Sequence, residues 1–126
     1  MRGAGELSLS KREQNRKCVM RILDSLEDMV KNVHRLADRV SRHDRDLASQ
    51  MKSASNSAAL NGSEGVWAKA GKRRSRLEDA LNSARETLMA LRIARACGYL
   101  PASEANQGIQ ALDGIIAVLW VLAYRR

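Results

Sequence analysis

Phenylalanine is absent from this chain, and proline occurs once in 126 residues, at Pro101. Two tryptophans and two tyrosines are the whole aromatic complement. So few aromatics and so few β-branched runs exclude a sheet-built core. With almost no proline, nothing stops long helices from forming. Two cysteines, Cys18 and Cys97, lie far apart, which excludes a disulfide-framed scaffold and suits a reducing compartment. Cys97 reads as a small core residue. Residues 1–18 have no apolar central segment, so no signal peptide is expected. The most apolar run, residues 114–124, is 11 residues long, and a bilayer needs about 20. A cytoplasmic protein with no membrane partner is expected.

The chemistry of catalysis is missing as well. His34 and His43 are the only histidines, and no Glu-x-x-His pair exists, which excludes the usual di-metal site of a helical bundle. Asp38 lies one helical turn after His34, a spacing that fits a solvated pair better than two metal ligands. Asp24, Glu27 and Asp28 are placed to pair with Lys31 and Arg21. There is no glycine-rich phosphate loop, and no Cys or Ser can be assigned a base. The expectation is a non-enzyme, with no catalytic residue, no metal and no cofactor.

What the chain does have is helical periodicity. Val19, Ile22, Leu26, Met29, Val33, Leu36 and Val40 step by alternating threes and fours, a seam on one helix face. Ser10 and Glu13 have capping-box spacing, which predicts a start near residue 11 and a polar overhang from Lys11 to Lys17. A second segment is predicted from about Asp44 to Gly62, with small inner positions at Ala54, Ala58 and Asn61 beside Leu47 and Met51. Gly65 and Gly71 are read as bracketing a loop, and Ser75 with Glu78 as the cap of a third helix. That helix carries Leu77, Leu81, Ala84, Leu88, Leu91 and Ala94 on one stripe and stops at Gly98. A fourth runs from about Ser103 to Tyr124, with Ile109, Leu112, Ile116, Leu119 and Ala123 inward. The fold class is all-α, an antiparallel up-down four-helix bundle over residues 19–126. Residues 1–18 form a basic extension or the polar start of the first helix.

Residues 114–124 show almost no polar face, more than a monomeric bundle of four short helices can cover. A homo-oligomer contact is therefore predicted at Ile115, Val118, Trp120, Val121 and Leu122.

Charge is the other strong signal. The formal net charge is +8. Residues 1–18 hold five basic and two acidic side chains, and residues 69–76 hold five basic and none acidic. The rest of the chain balances. Concentrated positive charge on a helical body fits a polyanion, and nucleic acid is the commonest one. The candidate contacts are Lys69, Lys72, Arg73, Arg74, Arg76, Lys11, Arg12, Arg16 and Lys17. The plainer alternative is charge that serves solubility alone. Trp67 has two readings, an anchor packed on the bundle end or a platform for an unpaired base, and the anchor is favoured.

Three segments resemble a known family. Asn61-Gly62-Ser63-Glu64-Gly65 is similar to the Asn-Ile-Ala-Glu-Gly segment of four-helix proteins encoded in intervening sequences of bacterial large-subunit (23S) ribosomal RNA genes. Leu81-Asn82-Ser83-Ala84-Arg85-Glu86-Thr87-Leu88 resembles its Leu-x-x-Ala-Arg-Gly-Ser-Leu, and Gly98-Tyr99-Leu100 its Gly-Tyr-Leu. The departures at Gly62, Ser63, Glu86 and Thr87 mark a divergent branch. The same superfamily includes the accessory variability proteins of diversity-generating retroelements. The resemblance implies a bundle assembled as a pentamer and, for the retroelement branch, binding to a reverse transcriptase and its template RNA. RNA is thus the expected nucleic acid. The alternative function is a protein–protein adaptor without a nucleic-acid role.

Overall fold

A computed structural model describes residues 10–125. Residues 1–9 of the expected basic extension lie outside the described residues. Helix α1 spans Lys11–Val40, α2 Arg45–Trp67, α3 Ala70–Ala96 and α4 Ala102–Tyr124. They pack as an antiparallel four-helix bundle in which each helix lies beside the next in sequence, and the α1–α4 seam is the loosest.

Local chemistry sets most of the ends. The Ser10 hydroxyl accepts the Glu13 amide at 3.1 Å, so α1 starts where its spacing predicts. Asp44 does the same for α2, accepting the Leu47 amide at 2.9 Å. Gly98 ends α3 with φ +74°, a left-handed position that costs glycine little. The Tyr99 amide reaches back to the Ala94 carbonyl and the Gly98 amide to that of Arg95, a Schellman closure.

The predicted α2–α3 loop shrinks to Ala68 and Lys69. Helix α2 continues through Gly62 and Gly65, and α3 opens at Ala70, five residues before Ser75. The glycines are packing positions. A Cβ on Gly62 would lie 2.8 Å from Leu26 Cδ1, and one on Gly65 would lie 2.7 Å from Leu77 Cγ and Cδ2. Each glycine therefore lets a neighbouring leucine sit against helix backbone. The tight turn falls instead on Ala70, whose φ is +49°. For a residue with a Cβ that conformation costs roughly 1 to 2 kcal/mol.

The core is made of leucine, isoleucine, valine, methionine and alanine. Leu26, Leu36, Met51, Leu77, Leu81, Leu91, Leu112 and Leu119 are its largest fully buried members. Ala54, Ala58, Ala80, Ala84, Ala90 and Ala94 line α2 and α3, which pack most closely of any pair. Their seam also takes polar groups. Ser83 Oγ donates to Ser57 Oγ at 2.9 Å, and Asn61 Nδ2 to the Ser57 carbonyl at 3.1 Å. The buried Ser55 and Thr87 hydroxyls return to carbonyls of their own helices.

Four expectations need correction. Cys97 is exposed, because it follows the last turn of α3 where the chain leaves the core. Ile115 is buried inside the chain, at 5% exposure, because α4 turns it toward α1. His34 and Asp38 do not bond each other but turn to separate partners. His34 Nε2 meets Asn56 Oδ1 at 2.8 Å, and Asp38 takes Lys52 at 2.9 Å, both partners on α2. The apolar run at 114–124 belongs to a 23-residue helix that is, by length and composition, apolar enough to cross a bilayer. Ala105, Gly108, Leu112, Ile115 and Leu119 nevertheless commit one side of that helix to the bundle.

At the bundle end opposite the start of α1, Glu104 of α4 is held by Arg39 and by Arg35 at 3.2 Å, both from α1. Hydrogen bonds from Arg39, then from Arg35, hold its carboxyl below the ordinary 4.5. A lowered folded-state value means the contribution to stability is complete above 4.5 and is lost as pH falls through the lowered value. Glu104→Gln is expected to lower the melting temperature near neutral pH, and thermal scans of variant and parent should converge in acid. A deficit that persists unchanged in acid would assign the loss to packing instead.

Candidate nucleic-acid interface

One level of the bundle shows how the ends line up. Around Gly62 of α2 stand Leu26 of α1, Ala80 of α3 and Leu119 of α4. From that level α1 runs back to Lys11, α2 forward to Trp67, α3 back to Ala70 and α4 forward to Tyr124. Residues 10–18 of the first basic segment and the second segment, more than 50 residues further on, therefore share one end of the bundle. Residues 10–18 are exposed throughout and precede Val19, the first α1 residue packed on the core. The overhang of Lys11, Arg12, Arg16 and Lys17 extends α1 by roughly 12 Å at 1.5 Å per residue.

The predicted contacts fall into two groups. Lys11, Arg12, Arg16, Lys17, Lys69 and Lys72 are exposed, and their side chains have no polar partner among the described residues. The three arginines of the second segment are engaged. Arg73 Nη1 donates to the Val66 carbonyl at 3.0 Å, closing the last turn of α2. Arg74 lies over the Tyr124 ring, 5.0 Å from its centre, and 3.9 Å from Glu78. The Tyr124 hydroxyl donates to Glu78 at 2.7 Å, and that carboxylate raises the phenol above its ordinary 10.0. Arg76 pairs with Glu64 at 3.2 Å and faces Asn61 Oδ1 at 3.5 Å. The free charge is thus lysine-rich, and the arginines brace the α2–α3–α4 corner with only part of their donor sets.

The run is helical, contrary to the loop expected, because lysine and arginine are good helix formers and Arg73 ties the first turn to α2. The start of α3 has no side-chain cap and no acidic residue in its first turn. Its free amides and the positive end of the helix dipole add to the field of Lys69 and Lys72. Trp67 is not the packed anchor expected. It is 60% exposed at the last position of α2, one residue after the carbonyl that Arg73 clasps. Among the described residues no group of three or more His, Cys, Asp or Glu side chains could hold a metal ion.

The predicted oligomer contacts divide as well. Val118, Trp120 and Val121 are exposed, Trp120 leaning on Tyr124 with ring centres 5.3 Å apart. Leu122 is half-buried against the core and Ile115 is inside it. Beside Val118, a groove of about 590 Å³ opens along the loose α1–α4 seam, floored by Ile22, Met29, Val33 and Ile115. Sequence reasoning missed this groove. Gly108, Ala111 and Gly114 leave α4 without bulk on that side, and they were the available signal.

A family model described as 23S rRNA-intervening sequence protein matches residues 20–120. The chain belongs to that family. A crystal structure of a protein of unknown function from the S23 ribosomal protein family of Bacteroides thetaiotaomicron is similar in fold, with a TM-score of 0.75 at 16% identity. The match covers 82% of this chain and 98% of that one. No curated protein matches the chain. The segments that carry the family likeness are structural. Asn61 and Glu64 hold Arg76, while Gly62 and Gly65 admit Leu26 and Leu77. Ala84 and Thr87 are buried, and Gly98 closes α3. Of the free cations, Lys11, Arg12, Arg16 and Lys17 precede the matched region, while Lys69 and Lys72 lie within it but outside those segments.

Proposed function

We propose that this family member is a cytoplasmic, non-enzymatic protein that holds nucleic acid, RNA in preference to DNA, on its basic end. The observation that carries this reading is that six cations, from α1 and from the start of α3 with its cap residue Lys69, lie at one end of the bundle with no polar partner among the described residues. Unpartnered lysines and arginines release condensed counterions from phosphates when they bind, which gives affinity without sequence choice. Two exposed free thiols, Cys18 and Cys97, fit a reducing compartment. Titration of RNA and DNA oligonucleotides at low and then rising salt tests the proposal. Binding at low salt with a steep salt dependence supports it, and no binding at low salt overturns it.

The outer face of α4 favours assembly as part of the same function. Val118, Trp120 and Val121 present an apolar strip next to the α1–α4 groove, and a second copy of the chain fits both. A ring of five, as the resemblance implies, would repeat the basic end five times and raise avidity without new contacts. Val118→Glu or Val121→Glu is expected to lower the subunit number in light scattering and leave the protomer folded, since these side chains are 44% and 39% exposed. Ile115→Glu, by contrast, should unfold it. A parent that is a 14.0 kDa monomer at micromolar concentration sinks the assembly. A monomer that still shows this strip would favour the second reading, an adaptor that docks another protein, such as the reverse transcriptase the resemblance implies.

A further inference from the structure

We infer that Trp67 is a stacking platform for an unpaired base, so that the ligand of the basic end is single-stranded. The inference rests on the nucleic-acid reading and deepens it. The indole stands at the end of α2, 60% exposed, where a structural tryptophan would turn inward. Val66, Gly65 and Leu77 pack into the core at this end, while the indole beside them stays outside it. The Trp67 backbone is tied to α3, because Arg73 clasps the Val66 carbonyl one residue before it. Lys69, two residues after Trp67, and Lys72, in the first turn of α3, have no polar partner among the described residues. A solvent-facing indole followed closely in the chain by two such ammonium groups matches the two demands of a single strand, a flat apolar surface for the base and cations for its phosphates. A duplex offers only phosphates here, because its bases are already stacked.

The experiment uses the full chain with a 15-nucleotide oligouridine and an RNA duplex of matched charge. Trp67→Ala is expected to weaken the single strand by roughly 5- to 150-fold, the range for loss of one stacked base. Duplex affinity and the salt slope should not move. Trp67→Phe should recover most of the loss, since a phenyl ring still stacks. In a Trp120→Phe background Trp67 is the sole tryptophan, and its fluorescence should be quenched by the oligouridine. Equal loss on both ligands, no loss on either, or a change of subunit number in Trp67→Ala overturns the stacking while leaving the basic end as a polyanion site. Failure of the parent to bind either ligand at low salt overturns both readings together.

Discussion

Changing Lys11, Arg12, Arg16, Lys17, Lys69 and Lys72 together to Ala should flatten the salt dependence of nucleic-acid binding by about 4 in log–log slope on single strands and about 5 on duplexes. Each phosphate contact contributes about 0.7 to the slope on a single strand and about 0.9 on a duplex. Six contacts correspond to a change in affinity of about a thousandfold between 50 and 200 mM salt, so the variant should lose nearly all of that dependence. The loss should be uniform across sequences, because phosphates carry no base information. Stability should hold, since all six side chains are exposed and none has a polar partner among the described residues. Arg73, Arg74 and Arg76 make a poorer set. Removing them breaks the clasp on Val66, the Tyr124 contact and the Glu64 pair along with any phosphate contact. A six-residue variant whose slope matches the parent's would move the polyanion site away from this end.

Why the sequence announced some of this and not the rest can be followed through particular residues. The α1 stripe was legible because every third or fourth residue from Val19 to Val40 is apolar and the opposite face is charged. The ends at Ser10 and Gly98 were legible because a side-chain oxygen and a left-handed glycine act within a few residues of themselves. The α2–α3 joint was not. Gly62 and Gly65 are breakers by local propensity, and only the position of Leu26 and Leu77 on other helices turns them into packing positions. Ending the helix at Gly62 and opening a loop at Gly65 also hid the helical nature of the basic run. Likewise the charge excess was visible, but pattern alone could not separate the free lysines from arginines whose partners lie up to 50 residues away. Tyr124 with Arg74 is such a case. Ile115 shows the same limit on α4. An all-apolar helix has no polar face to mark which of its sides looks inward, and the bundle chose Ile115 over Val118.

Gly65 and Leu77 form the contact on which this joint turns, and a mutant cycle between them should show the largest stability changes in the protein. Leu77 is fully buried, so Leu77→Ala is expected to cost about 2 to 5 kcal/mol. The upper part of that range applies because the facing residue is a glycine, which has no side chain to relax into the void. Against a domain stability of about 5 to 15 kcal/mol, such a loss is a large fraction of the whole. Gly65→Ala acts in the opposite sense. Its methyl would meet Leu77 Cγ and Cδ2 at 2.7 Å and the Leu77 amide nitrogen at 3.2 Å. Overpacking of about 1 to 3 kcal/mol then opposes a helix-propensity gain of about 1 kcal/mol. Gly114→Ala supplies the control. Nothing lies within 4 Å of its Cβ position, so the propensity gain should appear there alone as added stability. In the double variant the methyl added by Gly65→Ala enters space that the Leu77 atoms have left. The double should therefore be more stable than the two single losses predict, by about 1 to 2 kcal/mol, within the range for residues in contact. Urea midpoints at one fixed protein concentration measure all four species, since assembly would otherwise shift them. Strict additivity would mean that α2 and α3 do not meet at this glycine, and the close approach that sets the geometry of the basic end would fall with it.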